Sequence, residues 1–253
     1  MAATWGSHFI GLSSADRELL MWTLKAKNAQ DSWHRFLTLV GQYATADQIQ
    51  KVRSAANYLE TGRWLRARGF KCSPRYRSRF EFHAGIARPF VDVATVYLEF
   101  GVWTGDSLRT WLSLLRNPAS KFHGFDSFEG LPEDWNAGLR KGAFSLKGAV
   151  PQFEDPRLTL HKGWFADVLP GFRIPSHNQL IIHLDADLYS STACVLHALQ
   201  GEIYLGTILM FDEFVDPAHE LRAFDEYLER SHQRFEFIGG TEALEQAAFR
   251  RIA

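Results

Sequence analysis

Four short runs in this chain hold residues whose types and spacing could do chemistry. The first is Glu99-Phe100-Gly101-Val102-Trp103-Thr104-Gly105-Asp106-Ser107. A glycine at 101 permits a sharp exit from a strand, and one at 105 lets a ligand approach the backbone where a side chain would block it. The N–H groups opening the next helix offer a partly positive surface suited to a carboxylate or phosphate. The spacing is E-x-G-x-x-x-G rather than G-x-G-x-x-G, so the dinucleotide fingerprint is not met. In the second run, Phe122-His123-Gly124-Phe125-Asp126-Ser127-Phe128, Asp126 stands where an acidic side chain can accept hydrogen bonds from ribose hydroxyls. One βα unit after the glycine turn, it points to a nucleotide-type cofactor.

The third and fourth runs are Leu184-Asp185-Ala186-Asp187-Leu188-Tyr189 and Phe211-Asp212-Glu213-Phe214. Each follows an apolar strand, so its carboxylates emerge at the edge where open α/β folds bind ligands. Carboxylates converging there repel one another unless a cation is present, and hard oxygen ligands suit Mg²⁺, Mn²⁺ or Ca²⁺. Each aspartate by itself also reads as a helix cap; it is their placement on successive strands that favours a metal site. Asp187 is the first choice for a general base, with Asp185 the second. His183, His161 and His123 lie within strands and read first as packed histidines. The segment from Arg63 to Arg79 carries Arg63, Arg66, Arg68, Lys71, Arg75, Arg77 and Arg79 with no acidic residue. That is the composition of a solvated or interfacial face, and its sharper reading is recognition of an anionic substrate.

The elements that must position these residues follow from periodicity. From Ser13 to Phe70 apolar residues recur at helical spacing: Leu19, Leu20, Trp22, Leu24, then Trp33, Phe36, Leu37, Val40, then Ile49, Val52, Tyr58, Trp64, Leu65. Asp16 after Ser13-Ser14 resembles a capped start, Gly41 and Gly62 resemble helix ends, and the tryptophans read as packing residues. Strands are expected at Val96 to Phe100, Lys121 to Phe125, Leu158 to His161, Leu180 to Leu184 and Thr207 to Phe211. Helices are expected at Ser107 to Arg116, Thr192 to Gln200 and Ala218 to Ser231. This alternation argues for a mostly parallel sheet covered on both faces. Arg234 to Ile238 and Ala247 to Ile252 are too close for a crossover helix, so they close the sheet as an antiparallel hairpin. The stretch from Gly130 to Pro156 fits no regular element and reads as a lid or insertion.

Composition narrows the class. The 253 residues suit a helical N-terminal section, residues 1–90, and an α/β domain, residues 91–253. A net charge of -1 gives no overall attraction to nucleic acid or to an anionic membrane. Two cysteines, Cys72 and Cys194, make neither a disulfide framework nor a zinc cluster, and no apolar run is long enough to span a bilayer. The expectation is a cytoplasmic protein with no nucleic-acid or membrane partner and a helical N-terminus suited to a homodimer.

The motifs EFGVWTGDS, GFDSFEGLPEDW, GWFADVLP, HLDADLYSST and MFDEF, in this order, resemble the macrocin O-methyltransferase (TylF/MycF-like) family. The similarity is good from Tyr97 to Phe214 and extends to the final hairpin in pattern only. It implies a Rossmann-like class I methyltransferase fold: a mostly parallel seven-stranded sheet with a C-terminal antiparallel hairpin. The implied activity is S-adenosylmethionine-dependent, divalent-metal-assisted O-methylation of a sugar-containing or other natural product. Carried over by position, Glu99, Gly101 and Gly105, with Trp103, Thr104 and Ser107 on the same turn, line the methionine side of the cofactor. Asp126 binds the ribose beside Ser127 and Phe128, and Gly163, Trp164 and Phe165 lie near the adenine. Asp185, which also borders the cofactor, holds Mg²⁺ or another divalent cation with Asp212 and Glu213. Glu213 departs from the family, whose usual pair there is Asp-Asp. A nicotinamide-dependent oxidoreductase and a catalytically inactive binding protein of the same fold are the competing readings.

Overall fold

The most apolar runs of the chain become neighbouring strands at the middle of one sheet. A computed structural model describes residues 13, 14, 18, 29–136 and 138–253. Its described elements are α1 (Ala29–Tyr43), α2 (Ala46–Ala67), β1 (Arg75–Tyr76), α3 (Arg79–Ala87), β2 (Thr95–Phe100), α4 (Asp106–Leu114), β3 (Lys121–Asp126) and β4 (Leu158–Lys162). There follow α5 (Phe165–Val168), β5 (Gln179–Leu184), α6 (Tyr189–Ala198), β6 (Ile208–Phe211), α7 (Glu220–Ser231), β7 (Phe235–Thr241) and β8 (Ala247–Arg251).

The strands lie in the order β1-β7-β8-β6-β5-β2-β3-β4. All neighbours are parallel except β6 with β8 and β7 with β8, which form the expected antiparallel close. The order reverses between β5 and β2, and ligands in open α/β sheets bind outside the strand ends at such a switch point. The eighth strand is the two-residue β1, which pairs with the outer edge of β7. It is too short to show as a period-two pattern, and it lies inside the basic run.

Alternation along the strands builds two cores. Leu98, Phe100, Ile182 and Leu184 face Val195 and Leu196 of α6 and Phe224 and Tyr227 of α7. Tyr97, Ile181 and Met210 face Phe82 and Ile86 of α3 and Leu108 and Trp111 of α4. Every residue of β2 is buried, as a central parallel strand covered on both sides requires. Trp111 is fully buried and stacks on Tyr97 with ring centroids 4.6 Å apart.

Two units are compact by themselves, residues 1–56 and residues 57–253. Leu19, Leu20, Trp22, Leu24 and the Asp16 cap lie outside the described residues. In the first unit Trp33 stacks on Phe36 at 5.5 Å, and it is 56% exposed, so it is not the packing residue expected of it. In the second unit Trp64 does pack, edge-on to Phe214 at 5.7 Å and to Phe249 at 6.4 Å. Gly62 does not end a helix: α2 runs through it, because a helical glycine costs only about 1 kcal/mol and its neighbourhood is open. The stop comes at Gly69, whose φ of +74° ends the helical path. Gly41 likewise sits inside α1, two residues before its end.

Candidate active site

The glycine turn is built by two backbone requirements. Gly101 leaves β2 with φ +95°, and a Cβ there would stand 1.7 Å from the carbonyl oxygen of Asp185. Only glycine meets both conditions. Asp126, at the end of β3, then clamps the turn: its Oδ2 accepts from the N–H groups of Val102 and Trp103, both at 2.8 Å, and its Oδ1 accepts from Phe128 N–H at 2.6 Å. A carboxylate has about four acceptor sites, so these bonds leave capacity for a ligand hydroxyl. Gly105, φ +83°, caps α4.

A cavity of about 500 Å³ opens over this edge. Among the residues expected for the cofactor, Gly101, Trp103, Thr104, Ser107, Asp126, Ser127, Gly163, Trp164, Phe165 and Asp185 line it. Glu99, Gly105 and Phe128 do not. Glu99 is fully buried beneath the floor, where its Oε2 accepts from the Tyr97 hydroxyl at 2.6 Å. Phe128 is in the core, and Gly105 faces Phe153. These three shape the wall from behind. The long loop after β3 contributes Leu131, Trp135 and Phe144 to the opposite wall, with Phe144 edge-on to Trp103 at 5.7 Å.

The carboxylates emerge on the same cavity. Burial, with the charges of Asp212 and Asp126, raises Asp187 to about 7; burial, with Asp212 and Asp187, raises Glu213 to about 7. Burial and the charge of Asp212 also raise Asp185. Burial acts to raise Asp212 as well, but contact with His183 and Arg79 outweighs it and leaves this carboxyl below its ordinary value.

Arg79 opposes these rises at Asp185 and Glu213 and helps to hold Asp212 down. Its Nη2 donates to Asp185 Oδ2 at 2.9 Å and to Asp212 Oδ1 at 2.8 Å. The sequence places it there through a capping box. Ser78 Oγ accepts from Glu81 N–H and Glu81 Oε2 accepts from Arg77 N–H, both at 3.1 Å, which sets the start of α3 with Arg79 as its first residue. One turn on, His83 stands edge-on to His183 with centroids 5.4 Å apart.

His183 is fully buried, with Nδ1 2.7 Å from the Tyr97 hydroxyl and Nε2 3.7 Å from Asp212 Oδ1, an ion-pair rather than a hydrogen-bond separation. Burial acts to lower its pKa, yet Asp212 and Glu99 prevail and raise it to about 10. With Nδ1 engaged by Tyr97, the buried Nε2 has no hydrogen-bond partner and is the ring atom turned toward Asp212.

The divalent-cation expectation meets this geometry directly. The groups whose ligand atoms converge are His183, Asp185 and Asp212, within 4.8 Å of one another, and Glu213 is not among them. Mg²⁺ needs oxygens at about 2.0–2.1 Å. An ion that close to Asp185 Oδ2 and Asp212 Oδ1 would occupy the place of Arg79 Nη2. In this arrangement the residues do not fit a bare divalent ion.

Three further partners had little or no signal in the sequence. Glu220, fully buried at the start of α7, accepts from Ala186 N–H at 3.2 Å and Glu213 N–H at 3.1 Å, so one carboxyl ties together the two loops that carry the acids. Burial and the charges of Asp212, Asp185 and Asp187 push it well above the usual carboxylate range. Gln246 donates from Nε2 to Asp212, and Tyr97 links Glu99 to His183. In the basic run, Arg68 pairs with Asp225 and Glu229, and Arg75 donates to the carbonyl oxygens of Cys72, Thr241 and Glu242. A good part of that run is thus internal wiring.

A parallel sheet closed by an antiparallel pair, with its cavity at the switch point, is the class I methyltransferase fold. The chain belongs to the macrocin-O-methyltransferase (TylF) family, whose model matches residues 90–236. It is 31% identical over 150 residues to 8-demethyl-8-(2,3-dimethoxy-alpha-L-rhamnosyl)-tetracenomycin-C 4'-O-methyltransferase of Streptomyces olivaceus, covering 49% of this chain and 57% of that protein. It is 29% identical over 150 residues to demethyldecarbamoylnovobiocin O-methyltransferase of Streptomyces niveus, covering 51% and 56% respectively. The match thus spans little more than half the length of these curated relatives. Among solved structures, the O-methyltransferase NovP superposes with a TM-score of 0.54 at 25% identity, over 69% of this chain and 80% of that one. The calicheamicin methyltransferase CalS11 superposes at 0.52 with 21% identity, over 93% and 90%. Among the described residues no helix is long and apolar enough to cross a membrane.

Proposed function

We propose that this protein transfers a methyl group from S-adenosylmethionine to a hydroxyl of a sugar-containing or other small natural product. The observation that carries this reading is the single cavity wall on which the Gly101 turn, Asp126 and the acids Asp185 and Asp187 stand together. When bound, S-adenosylmethionine supplies an electrophilic methyl on sulfur, which an acceptor oxygen takes as the carbon–sulfur bond breaks and its electron pair stays on sulfur. The Gly101 turn and the start of α4 would hold its amino-acid end, Asp126 would accept from its ribose hydroxyls, and Trp164 and Phe165 would hold its base. Asp187, poised near neutral pH, takes the hydroxyl proton at its carboxylate. The rhamnosyl group in the name of the Streptomyces olivaceus relative supports a glycoside as acceptor. We assign the N-terminal section 1–90, whose last part (β1 and α3) belongs to the α/β sheet and core, as a substrate cap or homodimer interface and the loop after β3 as a lid, in a cytoplasmic enzyme.

A divalent cation such as Mg²⁺ is the second reading, favoured by the convergence of His183, Asp185 and Asp212. It requires the Arg79 guanidinium to withdraw. The test is calorimetry with S-adenosylhomocysteine, followed by transfer of labelled methyl to a panel of glycosides. We expect micromolar binding and labelled product. Absence of binding at high micromolar concentration sinks the reading. Binding without transfer to any glycoside would favour an inactive binding protein.

A further inference from the structure

We propose that Arg79 is the resident cation of the carboxylate cluster, so that the acceptor hydroxyl is positioned by a guanidinium and not by a divalent metal. This deepens the methyl-transfer reading by naming the positive charge that serves the acceptor. Asp185 and Asp212 stand together just past the ends of adjacent strands, where either a cation between them or a proton on one of them must offset their repulsion. Nη2 of Arg79 is at hydrogen-bond distance from both. Its origin is not an adventitious surface side chain. The Ser78–Glu81 cap sets the start of α3, and Phe82, His83, Ile86 and Ala87 anchor the helix in the core. The backbone that carries Arg79 is therefore held against the strand ends.

The guanidinium is also still able to bind. Arg79 lines the cavity, its side chain is about half exposed, and its Nε and Nη1 groups have no partner among the described residues. Both parallel N–H edges of the guanidinium include Nη2, which the two carboxylates occupy, so Nε–H and Nη1–H are separate donors, each able to hold one acceptor oxygen. Glu213 fits the same picture. Its side chain is one methylene longer than aspartate, and it is not drawn into the converging group. Once an arginine supplies the charge, no third short carboxylate is required at that spot.

Manganese(II), a paramagnetic stand-in for magnesium, tests this by electron paramagnetic resonance titration of the full chain, with and without S-adenosylhomocysteine. We expect the wild type to show no Mn²⁺ binding tighter than about 1 mM. Arg79→Ala should gain a site about tenfold tighter or more, since close charge pairs couple by at least that much. Asp185→Asn in that background should abolish the gain. Wild-type binding in the micromolar range that Asp185→Asn removes would overturn the proposal. So would a folded Arg79→Ala protein, judged by circular dichroism, that gains no site. If Arg79→Ala does not fold, Arg79→Gln, of similar length and uncharged, takes its place, and the wild-type titration decides in either case. Because the readout is metal binding, it stands apart from failure of the methyl-transfer reading, which would show as lost S-adenosylhomocysteine binding.

Discussion

The carboxyl edge of the sheet has two halves built on different principles. On the β2–β3 side, Gly101 and Asp126 act on backbone alone: Gly101 clears the Asp185 carbonyl, and Asp126 accepts two hydrogen bonds from the glycine turn and one from Phe128 just after itself. On the β5–β6 side, Asp185 and Asp212 are answered by Arg79, His183, Glu220 and Gln246, drawn from α3, β5, α7 and β8 or its approach. The nucleotide half is a local device, and the acid half is an assembly. A local device is sensitive to backbone shape, whereas an assembly is sensitive to each distant partner.

The largest effect is expected where the halves touch. Gly101→Ala would set a Cβ against the Asp185 carbonyl at a positive φ, combining backbone strain with overpacking. We expect a loss of about 3 kcal/mol or more and no S-adenosylhomocysteine binding, read by calorimetry. A variant with wild-type melting and binding would break the comparison, because the turn would then not depend on glycine.

Next is Asp187→Asn, which alters chemistry without touching the nucleotide half. Turnover should fall about 10²–10⁴-fold while S-adenosylhomocysteine affinity holds. The sign with pH follows from the base role. Asp187 must be ionised to accept a proton, and its pKa is about 7. Wild-type kcat/KM should therefore rise with pH up to about 7 and level off above it, and the variant should lack that limb. An unaltered profile in the variant would move the base elsewhere.

A smaller effect is expected from Glu220→Gln. The amide can accept only one of the two N–H groups that Glu220 now accepts, leaving Ala186 or Glu213 unpaired. Stability should fall by about 1–3 kcal/mol, and kcat should fall with little change in cofactor affinity. Equal losses in both halves would show that Glu220 supports the whole edge rather than the acid loops.

Much of the frame was legible in the chain. The apolar runs at β2, β3, β4, β5 and β6 and the antiparallel close lie within a residue or a few of where periodicity places them. Strand β1 was not legible because it is two residues long within the basic run, and α3 was not because its apolar residues Phe80, Phe82, Ala84 and Ile86 alternate rather than recur at helical spacing. The S-x-x-E spacing at Ser78–Glu81 was the one local sign of where α3 begins. Asp126, Asp185, Asp187 and Asp212 line the cavity, a position that follows from standing at strand ends.

The sequence by itself determined the main strands and helices from β2 onwards, the glycine turn, and which acids reach the carboxyl edge. Those are consequences of short-range backbone geometry and of alternating burial. Only the tertiary structure decided what answers the charge of those acids. Arg79 lies 106 residues from Asp185 and 133 from Asp212, and nothing in the local pattern around either aspartate names it. Charge pairing depends on distance in space, and that distance exists only once the chain has folded.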